Sequence, residues 1–334
     1  MKIIFFILAL VISSLCFSQQ ELPKIKWYTI KEAQELVKTS PKKILIDMNT
    51  SWCGWCKKMD KETFDNPSIA SYVNTFFIPV KFDAETHDTI VFNGKTYFNK
   101  QTGNRATHDL AIELLNGKLS YPTIVYLDEN LNMLSPVPGY MTPRDIEPLL
   151  IFFARNIYKA TPYDEFKNNF SATYIDSSAY KKKPFAFTNF SEYAVSNKKT
   201  PKNTIIYLTA DWCPECKVMQ MNTFSDSLIA DYLGKNYNVI YFNALSQDSI
   251  VFNNVTYKNQ NSGHPFHDLA VTLLNGKMDF PVMIFMTESG ELISPVPGYF
   301  TPRNLEPVLH FFFEKAYKTT QWDKYIQTFK SSYK

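Results

Sequence analysis

The sequence predicts an α/β protein of two tandem domains, in each of which a central mixed sheet is flanked by helices. Three observations support this fold class. The chain has 334 residues, which suits two domains of about 150 residues each. Its two halves repeat each other. Within each half, apolar runs typical of buried strands alternate with helical patterns and end in an antiparallel pair.

An internal repeat sets the predicted domain bounds. Cys213 matches Cys53 at an offset of 160 residues, and the offset falls to 159 after Gly263, where the second copy lacks one residue. The shorter offset then relates His267 to His108. Such a repeat indicates two copies of one folding unit. We predict a first domain over residues 22–174, a linker over residues 175–184 and a second domain over residues 185–334.

The N-terminus has the pattern of a secretory signal peptide over residues 1–18, with the basic Lys2, an apolar stretch and then small residues that end at Ser18. We therefore expect an exported protein, periplasmic or secreted. We expect no membrane span after signal removal, because no other window approaches about 20 apolar residues. Lipoprotein processing at Cys16 is disfavoured, since Leu15 is larger than the small residue that such processing usually needs.

Charge and cysteine usage exclude some functions and favour others. The formal net charge falls from +3 to +2 when Lys2 is removed with the signal peptide, which gives no electrostatic reason to expect nucleic-acid binding. Of five cysteines, Cys16 lies in the signal peptide and the other four form two CxxC pairs. An exported protein that used disulfides as staples would scatter them across its loops.

The elements of each copy are predicted in one order. In the first copy they are a helix over 31–39, a buried strand over 43–48, a helix opened by the CxxC pair, a strand over 76–82, an insert, a helix over 108–115, strands over 123–127 and 133–137, and a closing helix over 143–158. Within the insert, Asn93-Gly94 predicts a β-hairpin, and Asn253-Asn254 in the second copy also tolerates positive φ. The insert over 86–107 leaves the sheet at its CxxC end, so we expect it to form a rim over the first site.

The two CxxC pairs predict redox chemistry. Two cysteines separated by two residues at a helix start can close a short disulfide and reopen it. The helix N-terminus stabilises an anion, so the pKa of Cys53 and Cys213 should lie below the free value of about 8.5. These two are the expected nucleophiles, and Cys56 and Cys216 would resolve the mixed disulfide. The alternatives are inert staples, or one zinc ion held by four thiolates; pairs that open helices after buried strands favour the redox interpretation.

With a buried strand, a W-C-x-x-C-K motif and a later proline in order, each half resembles thioredoxin. The closest resemblance is to the exported branch of that superfamily with a WCxWCK-type start, on W-C-G-W-C-K-K-M at residues 52–59, E-T-F at 62–64 and N-P at 66–67. It covers both halves apart from the β-hairpin insert, and it implies two thioredoxin-like domains, each with a cis-proline beside the CxxC pair. The residues that it implies for substrate binding are Trp52, Trp55, Tyr121, Pro122, Trp212, Phe280 and Pro281.

The resemblance also assigns Asp47 to the catalytic set, because thioredoxins keep a buried acid there that takes the proton of the inner thiol. The matching residue of the second copy is Tyr207, which leaves the proton route of that site open. We expect Glu215 to be exposed and to add a negative charge near Cys213, which would make the second site the more reducing one. For His108 and its repeat partner, a structural role at a helix start is favoured over proton transfer.

These observations predict an exported protein-disulfide oxidoreductase that needs no metal and no organic cofactor. Its expected partners are client proteins, bound through mixed disulfides, and a regenerating thiol–disulfide partner in the envelope. The alternative is a thioredoxin-fold chaperone or adaptor that binds extended peptides, with redox chemistry secondary. The pattern does not distinguish a reductase from an oxidase or an isomerase.

Overall fold

The computed structural model describes residues 23–100, 103, 105–175, 183–261 and 263–333. Contacts between Cα atoms divide the chain into two compact units, with the division between Pro143 and Arg144. The predicted signal peptide, Cys16 and most of the predicted linker lie outside the described residues. The domain bounds drawn from the repeat stay predictions, and the contact division groups residues 144–174 with the second unit.

Unit 1 contains a four-stranded mixed sheet and a separate hairpin. Its described elements are α1 (Ile30–Thr39), β1 (Lys43–Asn49), α2 (Gly54–Met59), α3 (Pro67–Phe76), β2 (Phe77–Asp83), β3 (Ile90–Phe92), β4 (Lys95–Tyr97), α4 (Asp109–Leu114), β5 (Thr123–Leu127) and β6 (Met133–Pro138). The sheet order is β2-β1-β5-β6, with β1 parallel to β2 and the other pairs antiparallel. β1 pairs with β2 on one side and with β5 on the other, so both neighbours hold the C-terminal end of β1 in place.

Unit 2 repeats this sheet in the order β12-β11-β7-β8, with β7 parallel to β8. Its described elements are α5 (Pro143–Ala154, whose first residue precedes the division), α6 (Tyr163–Tyr174), α7 (Phe190–Lys199), β7 (Asn203–Thr209), α8 (Pro214–Val218), α9 (Ser227–Asn236), β8 (Tyr237–Asn243), β9 (Ile250–Phe252), β10 (Val255–Tyr257), α10 (Asp268–Leu274), β11 (Val282–Met286), β12 (Leu292–Pro297), α11 (Pro302–Phe313) and α12 (Trp322–Thr328). The mixed sheets flanked by helices confirm the predicted fold class.

Local sequence signals explain where the first helices begin. Thr29 caps α1 in a capping box, in which its side chain accepts the backbone N–H of Glu32 and the Glu32 carboxylate accepts the N–H of Thr29. Asn66 caps α3, and Pro67 occupies its first position, where a missing N–H costs no hydrogen bond. Both helices pack beside β2, which pairs with β1, a strand that is buried along almost its whole length.

The predicted hairpins are confirmed in both copies. Asn93 and Gly94 connect β3 to β4 with φ of 49° and 77°. Asn253 and Asn254 connect β9 to β10 with φ of 49° and 63°. Asparagine tolerates the left-handed region better than other side chains, so both turns keep the type that fits the twist of a hairpin.

The closing helix is shorter than predicted. It ends at Ala154 instead of residue 158, and a 3₁₀ turn over Ile157–Lys159 follows. Asn156 between them has φ of 56°, which terminates the α-helical path. Among the described residues, no helix is long and apolar enough to cross a membrane.

Candidate functional site

The first CxxC pair lies at the start of α2, a few residues after the end of β1. Cys53 is the N-cap residue, and its Sγ accepts a hydrogen bond from the backbone N–H of Cys56 at 3.0 Å. Both cysteines are buried and joined as a disulfide. The helix continues into a π-helical turn over Asp60–Phe64. An N-cap sulfur that receives a backbone N–H is placed where negative charge on it is stabilised.

The second CxxC pair has the same arrangement at the start of α8, after β7. The Sγ of the N-cap residue Cys213 accepts the backbone N–H of Cys216 at 3.2 Å, and the pair forms a disulfide. Pro214 occupies the first helical position. Both pairs therefore open helices after buried strands, as the sequence predicts. In the described part of the chain, no group of three or more His, Cys, Asp or Glu side chains is placed to hold a metal ion.

An aromatic residue and a proline from another loop lie beside each pair. The Tyr121-Pro122 and Phe280-Pro281 peptide bonds are cis, as the resemblance implies. The rings of Trp52 and Tyr121 meet edge to face with centroids 6.0 Å apart. The corresponding centroids in the second unit, of Trp212 and Phe280, are 5.7 Å apart. The fold thus brings the residue before the first cysteine of each pair against the residue before each cis-proline.

The insert of the first copy contacts the first site. Arg105, which belongs to the insert, places its guanidinium carbon 4.3 Å from the centroid of the Trp52 ring. The indole N–H of Trp52 donates to Glu85 Oε1 at 2.8 Å, and the Ser51 hydroxyl donates to Glu85 Oε2 at 3.2 Å. These contacts hold the indole at the edge of the site. The Arg105 contact connects the predicted rim to the site.

Asp47 on β1 is buried and belongs to an ionic group that we call the acid network, Asp47, Lys81 and Asp60. Lys81 Nζ lies 3.3 Å from Asp47 Oδ2 and also pairs with Asp60. Burial raises the pKa of Asp47 to about 6; the charge of Lys81 opposes this rise and the charge of Asp60 adds to it. A carboxyl group with this pKa can accept and release a proton near neutral pH.

The second site replaces the acid network with uncharged side chains. At the position of the buried acid, the hydroxyl of Tyr207 donates to the carbonyl oxygen of Cys216 at 2.8 Å. Burial raises the pKa of Tyr207 well above its ordinary value, so the phenol keeps its proton. The other two network positions hold Tyr241 and Gln220. The matched side chain thus reaches the second cysteine of the pair, yet it cannot act as a base there.

The expectation that Glu215 is exposed is wrong. Glu215 is fully buried, and its Oε1 lies 2.5 Å from Nε of Arg155, a residue just after the end of α5. Arg155 Nη1 also lies 2.6 Å from Oδ1 of Asp279. Burial raises the pKa of Glu215, and the adjacent Arg155 charge opposes that rise. Because a cation balances the carboxylate, the argument that Glu215 makes the second site more reducing loses its basis.

The repeated histidine has the favoured structural role. Nδ1 of His108 accepts the backbone N–H of Leu110 at 3.2 Å and caps α4, while Nε2 lies 3.0 Å from the carbonyl oxygen of Asp88. His267 makes the same pair of contacts at the start of α10. The ring is buried in both copies and ties the insert to the helix.

Sequence reasoning missed a surface patch next to the first pair, which we call the Trp55 face: Trp55, Lys58, Glu62 and Tyr140. Lys58 Nζ lies 5.0 Å from the Trp55 ring centroid and 5.1 Å from that of Tyr140. The Trp55 and Tyr140 centroids are 5.4 Å apart, and the Tyr140 hydroxyl donates to Glu62. The spacing of Trp55, Lys58 and Glu62 on consecutive helical turns was the available signal. Tyr140 comes from a loop that is distant in sequence, and no sequence signal indicated its place in this patch.

Comparison with known proteins gives matches in both halves. Residues 11–106 match a DsbH-type thioredoxin family described as "Protein of unknown function, DUF255", and residues 190–313 match a family described as "Thioredoxin-like domain". An uncharacterized protein of Archaeoglobus fulgidus is 32% identical over 95 residues, which cover 27% of this chain and 74% of that protein. An uncharacterized protein of Caenorhabditis elegans is 37% identical over 131 residues, which cover 38% of this chain but only 16% of the nematode protein.

Solved structures with some similarity include a thioredoxin-fold protein from Helicobacter pylori, at 16% identity and a TM-score of 0.31, covering 38% of this chain and 78% of that one. A putative disulphide-isomerase from Bacteroides thetaiotaomicron has 20% identity and a TM-score of 0.29, covering 39% of this chain and 94% of that one. The two family matches, the repeated mixed sheet and the two CxxC pairs make this a disulfide oxidoreductase-like protein. The chain belongs to the thioredoxin superfamily, with two thioredoxin-like domains in tandem.

Proposed function

We propose that this protein is an exported thiol–disulfide oxidoreductase that exchanges disulfides with client proteins through its first CxxC site and uses its second as a further redox centre. One observation supports this most directly. Each cysteine pair caps a helix, with the backbone N–H of the second cysteine donating to the sulfur of the first, beside an aromatic residue and a cis-proline from another loop. That arrangement activates one sulfur and offers an edge for an extended segment.

The proposed reduction of a client proceeds in two steps. The Cys53 thiolate attacks one sulfur of the client disulfide, so that the client S–S bond breaks, a mixed disulfide forms and a client thiolate leaves. The Cys56 thiolate then attacks Cys53 Sγ, which releases the second client thiolate and closes the Cys53–Cys56 disulfide. Two electrons pass from the pair to the client. The reverse sequence oxidises a client dithiol.

The acid network supports a proton role for Asp47 in this reaction. Cys56 must lose its proton before it can attack, and a buried carboxyl group with a pKa of about 6 can take that proton at neutral pH. Trp52, Trp55, Tyr121 and Pro122 are the proposed client contacts at the first site. A regenerating thiol–disulfide partner in the envelope would restore the reduced or oxidised pair.

Reduction of insulin in the presence of dithiothreitol tests the proposal. The full chain should accelerate insulin precipitation, and replacing all four site cysteines by serine should remove the acceleration. A chaperone or adaptor would instead bind extended peptides equally well with and without its cysteines. Catalysis that is absent in the wild type, or unchanged in the cysteine-free variant, would refute the oxidoreductase proposal.

Trapping tests the roles within the first pair. Cys56→Ser should accumulate covalent mixed disulfides with proteins of an envelope extract, because the resolving thiol is missing. Cys53→Ser should trap far fewer, because it lacks the attacking thiol. Equal trapping by the two variants would overturn the assignment of Cys53 as the nucleophile.

A further inference from the structure

The two sites differ most on one face of the CxxC helix. The Trp55 face has a counterpart in the second unit, which we call the Glu215 face: Glu215, Val218, Asn222 and Tyr299, at the matched repeat positions. Trp55 is 59% exposed, whereas Glu215 is 0% exposed. Lys58 and Glu62 are exposed, and their counterparts Val218 and Asn222 are buried. The same surface is thus open at one site and covered at the other.

Helix α6 covers the Glu215 face. The ring of Phe166, itself fully buried, packs edge-on against Tyr299 with centroids 5.4 Å apart. Asn169 Nδ2 donates to the Tyr299 hydroxyl at 3.3 Å. Asn222 Nδ2 donates to Thr173 Oγ1 at 2.8 Å and to the Asn169 carbonyl oxygen at 3.3 Å. Aromatic packing and polar contacts together hold α6 on the side of α8.

The covering extends to the dipeptide between the two cysteines. The Tyr174 hydroxyl at the end of α6 donates to the carbonyl oxygen of Pro214 at 3.1 Å. Lys217 Nζ lies 5.0 Å from the Tyr174 ring centroid. Arg155 pairs with Glu215 on one side and with Asp279, two residues before the cis-proline, on the other. At the first site, the Trp55 face would meet an incoming protein segment. At the second site, the matched residues already contact other parts of the chain.

A smaller opening to the second pair remains. A cavity of about 350 Å³ is lined by both cysteines, Asp211 and Lys217, with Tyr174 on its wall. Cavities that bind small molecules have volumes of about 300–1,000 Å³. The lining includes one carboxylate and one ammonium group, which suits a zwitterionic thiol compound better than an apolar one.

We propose that the second site exchanges with low-molecular-weight thiols and disulfides of zwitterionic, peptide-like character, and that α6 excludes protein clients from it. This inference rests on the proposed thiol–disulfide exchange and names the substrate class of one of the two sites. In the forward reaction the Cys213 thiolate attacks a small disulfide and releases one small thiolate. Cys216 then attacks Cys213 Sγ and releases the other. Two electrons pass from the Cys213–Cys216 pair to the small disulfide.

Single-site variants of the full chain test the inference. Cys53→Ser with Cys56→Ser leaves the second site, and Cys213→Ser with Cys216→Ser leaves the first. Each reduced variant is mixed with oxidised glutathione or with insulin, and the loss of free thiols is followed by alkylation and mass spectrometry. The ratio of the insulin rate to the glutathione rate should be about tenfold or more lower for the second site, because α6 must leave before a protein segment can enter.

The outcomes separate this inference from the proposed function. Equal ratios at the two sites, or a second site that reacts with neither disulfide, would overturn the inference and leave the function of the first site intact. A first site that fails to reduce insulin would refute the proposed function, whatever the second site does.

Two variants that loosen α6 test its role, each with a control at the matched position of α12. Phe166→Asp should raise the insulin-to-glutathione ratio of the second site several-fold toward that of the first, and Tyr325→Asp should not. Asn169→Ala, which removes the side-chain hydrogen bond from α6 to Tyr299, is the milder variant, with Thr328→Ala as its control, and the glutathione rate reports whether the site itself stays intact. An unchanged ratio in Asn169→Ala with an unchanged glutathione rate would show that α6 does not exclude proteins.

Discussion

At the level of single residues, the two sites differ in the side chain at one matched position of the inner strand, six residues before the first cysteine of the pair. Asp47 is a buried acid with a cationic partner, whereas Tyr207 is a buried phenol that donates to a carbonyl. The first arrangement can transfer a proton near neutral pH, and the second cannot. The helix start around the first cysteine is thus similar at the two sites, while the group available for proton transfer differs.

The raised pKa of Asp47 predicts a pH-dependent effect on stability. Because the folded state holds this proton more tightly than the unfolded chain, the stabilisation is fully present below the usual value of 3.8 and is lost as pH rises through about 6. Relative to wild type, Asp47→Asn should thus gain roughly 2 kcal/mol in free energy of unfolding between pH 4 and pH 8. Urea unfolding at both pH values measures this change. The matched variant Tyr207→Phe should show no such gain, and a pH-independent difference for Asp47→Asn would contradict the assignment.

The buried pair of Arg155 and Glu215 predicts a stability effect of a different kind. Arg155→Met leaves a buried carboxylate without its partner and should lower the free energy of unfolding by about 3–5 kcal/mol. The double variant Arg155→Met with Glu215→Gln should recover much of that loss, since no unpaired charge remains. Denaturant unfolding of the wild type, both single variants and the double variant measures the coupling. Additive losses in the double variant would show that the two side chains do not act as a pair.

Residues with local signals could be predicted from the sequence, and residues with distant partners could not. The cysteine pairs and the capping histidines are defined by short motifs, so their placement at helix starts is confirmed. The burial of Glu215 depends on Arg155, which lies outside the second copy of the repeat as the sequence defines it. No pattern around Glu215 reveals that partner, and a lone charged residue is exposed in most proteins.

At the level of secondary structure, the strands and hairpins were predictable and helix extents less so. The hairpins have turn residues with positive φ, and the inner strands β5 and β11 are nearly continuous apolar runs. The prediction omitted α3, although Asn66 and Pro67 mark its start, because its apolar residues merge with those of the next strand. It extended α5 too far, because the apolar periodicity continues past the left-handed Asn156.

The insert predicts an effect on client choice. Arg105 stacks on Trp52 at the edge of the first site, so the insert shapes what an incoming segment meets. Replacing residues 86–107 by a short Gly-Ser loop should change the set of trapped clients more than the rate with a small disulfide. Arg105→Ala should reproduce part of that change with the loop intact. Trapping with Cys56→Ser in each background provides the readout, and identical client sets would argue against a rim.

Helices α6 and α12 show why the sequence repeat does not predict equal packing. They occupy matched positions and have similar patterns, yet α6 packs on the CxxC helix α8. The segment after α12 instead binds α11 and the start of α9, where Ser332 N–H donates to Glu306 and the Tyr333 hydroxyl donates to Asp226. No residue pattern within the two helices records that difference in packing.

At the level of the whole molecule, the repeat contains two CxxC sites with different surroundings. One has a buried acid, an open aromatic face and an insert that contacts it. The other has a buried tyrosine, a covered face and a small cavity beside its thiols. The sheet, the helix caps and the cysteine pairs recur at matched positions of the two copies. The differences lie in side chains whose partners come from outside the repeating core, and those could be found only in the structure.

The claim that both pairs are redox centres is tested most directly by their reduction potentials. Each single-site variant is equilibrated with a series of glutathione or dithiothreitol buffers, and the reduced fraction is counted by alkylation and mass spectrometry. Both pairs should titrate as two-electron couples with midpoints between about −270 and −120 mV, the range of redox-active CxxC proteins. A midpoint below about −300 mV for either pair, typical of structural disulfides, would show that the pair is a staple and contradict the account.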